Sequence, residues 1–152
     1  MKALISLWVS LLLFLSLTAQ DMVRWVDLPT AEYLVERSPK KKIMIMFYTT
    51  WCGYCKLMNR NTFRNPAVVK YIDENYIPVR VDGETEDVII YRKKRYPYLN
   101  SFRVNGLAYS LLNGRPSFPS IVIVDKNWNT VNLLQGYLSA PDFLKFLQTS
   151  SF

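Results

Sequence analysis

Cys52 and Cys55 are the only cysteines in the chain, and they lie three residues apart in the run Trp51-Cys52-Gly53-Tyr54-Cys55-Lys56. Two cysteines at this spacing at the start of a helix have a specific chemistry. The first occupies the cap, where unpaired backbone N–H groups point at its sulfur and stabilise a thiolate. The second lies one turn inward, near enough to close a disulfide and shielded from solvent. The spacing therefore predicts an exposed attacking sulfur at Cys52 and a resolving sulfur at Cys55. Lys56, four residues after Cys52, adds positive potential if its side chain folds back over that turn.

The composition removes competing chemistries. Histidine is absent, which excludes Ser-His-Asp triads, Cys-His dyads, His-bound metals and an axial haem histidine. Structural zinc wants about four Cys or His ligands. Covalent haem attachment wants His directly after the second Cys, where Lys56 stands. An iron–sulfur cluster would need ligands shared between two chains. No metal and no bound cofactor is expected. The alternative to redox chemistry is a static disulfide that staples a helix end, although so short a loop constrains the unfolded chain little. Asp82 and Glu84 read as solvated turn residues, with a carboxylate helper near the motif as the alternative. Arg92-Lys93-Lys94-Arg95 reads as a solvated turn, with an anionic surface or acidic partner as the alternative. The 10 Tyr and 8 Phe are spread along the chain rather than grouped with the basic residues, so no nucleic-acid partner is expected.

Positioning the pair requires a strand before it and a helix after it. Ile43 to Tyr48 is a short continuous apolar run, which suits a buried central strand. A helix follows over 53–61, and Asn65-Pro66 opens another over 66–74. A strand is expected over 76–81. Arms at 88–91 and 96–99 flank the basic tetrad as a candidate hairpin, with Pro97 confining the second arm to an edge. Further helices are expected over 29–37, 107–112 and 141–148, and strands over 120–124 and 130–134. This order predicts an α/β fold with one mixed sheet and helices on both faces.

At 152 residues one domain is expected. Residues 1–20 form an address: Lys2, a mostly apolar run over 3–17, then Thr18-Ala19-Gln20. The run is shorter than the roughly 20 apolar residues of a spanning helix and closes on a small residue. This predicts a signal peptide cut after Ala19 or Gln20, with an uncleaved anchor as the alternative. The domain over 21–152 is then expected to have no stable membrane insertion. Lys plus Arg number 19 against 12 acidic residues, and loss of Lys2 leaves 18 against 12, a charge near +6. Export places the cysteines in an oxidising compartment. A C-terminus without a retention signal and the lack of an Asn-x-Ser/Thr sequon favour a periplasm or bacterial cell envelope.

These residues resemble the thioredoxin superfamily, and most closely exported bacterial thioredoxin-like proteins related to the periplasmic C-terminal domain of the DsbD thiol:disulfide interchange proteins. The resemblance rests on Phe47, Trp51 to Lys56, Met58, Thr62-Phe63, Pro66, Val68, Val81-Asp82, Phe118-Pro119 and Gly136-Tyr137, within about 43–147. It implies a thioredoxin-like fold and thiol–disulfide oxidoreductase activity with Cys52 and Cys55 as the catalytic pair. The implied partners are protein substrates with Cys or disulfides and a membrane or envelope redox partner. It further implies that Pro119 is cis and lies against the disulfide, that Phe118 offers its backbone to an extended substrate strand, and that Trp51, Gly53 and Tyr54 belong to the substrate site. Two departures stand out. The family's buried Asp, six residues before the first Cys, is Met46 here, and its facing Lys falls near Pro78. The dipeptide Gly53-Tyr54 is not thioredoxin's Gly-Pro, and direction (reductase, oxidase or isomerase) stays open. The alternative function is a protein-binding module on the same scaffold with an inert disulfide.

Overall fold

The computed structural model describes residues 22–150; the expected signal peptide over 1–20 lies outside them. The elements are α1 (Leu28–Arg37), β1 (Lys42–Tyr48), α2 (Gly53–Asn61), α3 (Pro66–Asn75), β2 (Tyr76–Asp82), β3 (Ile89–Tyr91), β4 (Lys94–Tyr96), β5 (Tyr98–Leu99), β6 (Val104–Asn105), α4 (Gly106–Leu111), β7 (Ser120–Val124), β8 (Thr130–Gln135) and α5 (Ala140–Thr149). The main sheet runs β2-β1-β7-β8. β1 and β2 are parallel, while β7 is antiparallel to both β1 and β8. The sheet is mixed, as the alternation of elements predicts.

Successive strand residues point to opposite faces, and in β1 both faces are covered. Ile43 to Phe47 are each 0% exposed, so this strand has no polar side to alternate with. Met44 and Met46 pack with Met58, Val68, Ile72, Phe143 and Leu147 from α2, α3 and α5. Ile43, Ile45 and Phe47 pack with Leu28, Ala31, Val35, Leu107 and Ala108 from α1 and α4. Side-chain caps start the helices: Asp27 accepts from Thr30 N–H, Asn65 from Ala67 and Val68, and Ser139 from Asp142. Each of these helices carries Pro in its first turn, where a missing N–H costs nothing.

The candidate hairpin over 88–99 is corrected. Its arms are β3 and β4, paired Ile89 with Tyr96 and Tyr91 with Lys94, so the turn is Arg92-Lys93 alone and half of the basic tetrad is strand. Both turn residues are left-handed, with φ 52° and 63°, the twist that two-residue hairpins demand. The sequence lacks the Gly or Asn that signals such a turn. Arg92 instead gains a hydrogen bond from its backbone N–H to Glu32 Oε1 at 2.8 Å. Pro97 falls between strands, and β5 pairs with β6.

Candidate active site

β1 delivers the chain to the motif and α2 carries it away. After Tyr48, the Cys52 N–H donates to the Thr49 carbonyl at 3.3 Å. Cys52 is the cap of α2, with extended backbone at φ −67° and ψ 107°. Its Sγ accepts the Cys55 N–H at 3.1 Å, and its carbonyl accepts the Lys56 N–H at 3.2 Å. Cys52 and Cys55 are joined as a disulfide, with Cα atoms 5.3 Å apart. A helix N-terminus leaves several N–H groups without intrahelical partners. One of them is already aimed at Cys52 Sγ, so a thiolate formed there meets both a donor and the positive end of the helix dipole.

The expectation of an exposed Cys52 is corrected. Cys52 is 3% exposed and Cys55 1%, and both lie in the layer that contains Met46, Met58 and Phe63. The physical reason is tertiary: residues of α3, β7 and α5, among them Val68, Ile121 and Phe143, close the layer around the cap. The exposed surface belongs to the neighbours, Trp51 and Tyr54, each 66% exposed. The Tyr54 ring lies 6.3 Å from that of Tyr137. A Cβ on Gly53 would meet nothing within 4 Å, so the approach there is open. Lys56 is exposed; its recorded contact with the pair is through the backbone.

Phe118 and Pro119 come from the segment entering β7. Their peptide bond is cis. Pro119 is buried, and its carbonyl accepts the Gly136 N–H at 2.8 Å. Phe118 packs against both core layers, including the one with the two cysteines.

The two departing positions lie on adjacent strands. β1 pairs with β2 so that Arg80, not Pro78, lies opposite Met46; Pro78 lies opposite Met44. The cation at this register position turns to Tyr48, with its guanidinium carbon 4.0 Å from the ring centroid.

Glu84, weighed in the sequence as a helper or a turn residue, reaches the motif through Trp51: the indole Nε1–H donates to Glu84 Oε2 at 2.7 Å. Asp82 serves the turn, accepting the Glu84 N–H at 3.0 Å. Arg92, Lys93, Lys94 and Arg95 are all exposed. Sequence reasoning gave no role to Gly83, Asn105 or Arg80. Gly83 and Asn105 look like ordinary turn residues until the loop that they share is seen in three dimensions. Among the described residues no group of three or more His, Cys, Asp or Glu is placed to hold a metal, and no helix is long and apolar enough to cross a membrane.

Comparison with known proteins gives a consistent answer. The family model described as a thioredoxin-like domain matches residues 34–151. The thiol:disulfide interchange protein DsbD of Vibrio vulnificus is 25% identical over 134 residues, which cover 85% of this chain and 19% of that protein. The chain thus spans about a fifth of the length of that relative. A thioredoxin from Thermus thermophilus superposes with a TM-score of 0.63 at 23% identity, over 84% of this chain and 86% of that one. The DsbD C-terminal domain of Neisseria meningitidis in its reduced form gives 0.56 at 19% identity, over 80% and 91%. These structures share the fold, and a cysteine pair on this fold supports thiol–disulfide oxidoreductase chemistry in general terms. With a family model covering most of its length, the chain belongs to the thioredoxin-like domain family.

Proposed function

We propose that this chain is an exported thiol–disulfide oxidoreductase that exchanges disulfides with protein substrates through Cys52-Gly53-Tyr54-Cys55. One observation carries the reading: Cys52 caps α2 with its sulfur already accepting the Cys55 N–H. In the reduced pair the Cys52 thiolate attacks one sulfur of a substrate disulfide. A Cys52–substrate bond forms, the substrate S–S bond breaks, and its leaving sulfur departs as a thiolate that takes a proton from water. Cys55, deprotonated in turn, attacks Cys52 Sγ. The Cys52–Cys55 bond closes, the mixed disulfide breaks, and the second substrate thiolate is released. Run backwards, the same steps oxidise a dithiol substrate. Met46 is fully buried in the layer with the pair, where a carboxylate would have taken the Cys55 proton, so that proton goes to water or to the departing substrate sulfur.

Trp51, Gly53, Tyr54, Phe118 and Pro119 are assigned to the substrate site. The support is the exposure of Trp51 and Tyr54, the open space at Gly53, and the position of Phe118 against the cysteine layer. Lys56 is assigned a supporting role in stabilising the thiolate from the first turn of α2. The similarity to DsbD supports an envelope redox partner that resets the pair. No bound cofactor enters the cycle.

The test is the asymmetry between the two sulfurs. With insulin as substrate and dithiothreitol recharging the pair, Cys52→Ser is expected to abolish turnover. Pre-reduced Cys55→Ser, mixed with insulin after the dithiothreitol has been removed, is expected to accumulate a covalent insulin complex that added dithiothreitol resolves, because the attacking sulfur is retained and the resolving one is gone. Equal trapping by both variants would reverse or void the roles. An inactive wild type with no trapping by either variant would favour a binding module with an inert disulfide.

A further inference from the structure

We propose that Asn105 is a positioning residue for the disulfide site. It clamps the turn over 82–87, and that turn holds the side chains of Trp51 and Phe118. The proposal deepens the oxidoreductase reading given above.

Asn105 is an amide with 0% exposure, and both polar ends of its side chain are used. The two N–H groups of its Nδ2 reach three carbonyls, of Thr85 at 3.3 Å, Asp87 at 3.0 Å and Tyr96 at 3.2 Å, so one N–H is shared between two of them. Its Oδ1 accepts the Leu107 N–H at 3.0 Å, capping α4. Its backbone N–H donates to the Gly83 carbonyl at 2.8 Å. A buried polar group survives only if it is satisfied. Two of the carbonyls that satisfy it, those of Thr85 and Asp87, belong to a stretch with no strand ladder of its own to hold it.

The other side of that turn faces the motif. The Gly83 N–H donates to the Tyr48 carbonyl at 2.8 Å, at the end of β1. The Phe118 ring lies directly on Gly83: a Cβ there would sit 2.3 Å from one ring carbon and 2.4 Å from the next. Glu84 accepts the Trp51 indole N–H at 2.7 Å. One six-residue turn therefore touches the aromatic residue before Cys52 and the aromatic residue before Pro119. Asn105 ties that turn to β4 and α4. An exposed indole held in one pose meets a substrate without first having to be ordered, and that ordering cost falls on binding rather than on bond exchange.

The effect expected is accordingly on KM. Asn105→Ser keeps an oxygen to cap α4 and removes the three Nδ2 bonds. With insulin and dithiothreitol, it is expected to raise KM by roughly 3- to 10-fold and to leave kcat within about two-fold. The reduction potential of the Cys52–Cys55 couple should stay unchanged, since Asn105 does not touch the sulfurs. Exchange of the Trp51 indole proton with solvent, followed by NMR, should speed up. That measurement needs no activity, so it decides the proposal even if the oxidoreductase reading fails. Glu84→Ala should reproduce both effects and Glu84→Gln, which keeps an acceptor for the indole, should restore them. A folded Asn105→Ser protein with wild-type KM and wild-type indole exchange overturns the proposal. If Asn105→Ser does not fold, Glu84→Ala with both readouts at wild-type values overturns it equally.

Discussion

Cys52 does two things from one position: it caps α2 and it forms half of the disulfide. A Ser or Asp in its place would cap as well, but only a sulfur turns the same N–H donors into stabilisation of a nucleophile. Most of this was legible in the residues, because a cap and its first turn are local. The burial of Cys52 was not, since it depends on α3, α5 and β7 closing the layer around it. Tyr91 shows the same limit. It is 4% exposed, and its hydroxyl is buried with no hydrogen-bond partner among the described residues. Burial pushes its pKa up from 10 to about 12, with Arg92 opposing the shift. The folded state therefore holds the proton more tightly than the unfolded chain, so Tyr91 loses stability for the fold as pH rises from 10 to 12. Tyr91→Phe removes an unsatisfied polar atom and that titration together. Chemical denaturation at pH 7 should show it between unchanged and about 1 kcal/mol more stable. The gap over wild type should widen between pH 10 and 12. A clear loss of stability at pH 7 would mean that the hydroxyl has a partner.

At the scale of elements, β1, α2, α3, β7 and α5 follow their sequence signals within a residue or two. The helices among them combine a capping side chain with a periodic apolar face, and the two strands are continuous apolar runs. The β3–β4 hairpin does not follow its signals, because Arg92 and Lys93 adopt left-handed backbone that neither residue prefers. The cost is carried by the ladder on each side, by Arg92 N–H bonding Glu32, and by Tyr91 packing edge-on against Trp128 at 5.3 Å. Lys93 is exposed at φ 63°, a conformation that costs a non-glycine residue roughly 1–2 kcal/mol. Lys93→Gly should recover about 1 kcal/mol of that, less the entropy that glycine returns to the unfolded chain. A urea midpoint that rises with an unchanged slope would confirm it. A midpoint that falls would show that the Lys93 side chain matters more than its backbone.

At the scale of the whole molecule, one mixed sheet with apolar layers on both faces accounts for a chain that is half apolar. The leading segment adds the question of where that domain works. If residues 1–20 are a signal peptide, the protein recovered from a bacterial host should begin at Gln20 or Asp21. Intact mass should show this, in a soluble envelope fraction. A full-length product in the membrane fraction would establish an anchor instead. The sequence by itself determined the local and periodic features: the cap-and-turn chemistry of Cys52 and Cys55, the buried central strand, the helix starts, and the order that makes a mixed sheet. These depend on residues within one or two turns of each other, and their signals are carried by adjacent side chains. Tertiary structure alone decided that Arg80 faces Met46, that Cys52 is buried, and that Gly83, Glu84 and Asn105 join Trp51 to Phe118. Those pairings are set by strand register and by loops that meet across 20 or more residues, where no local propensity chooses between one partner and the next.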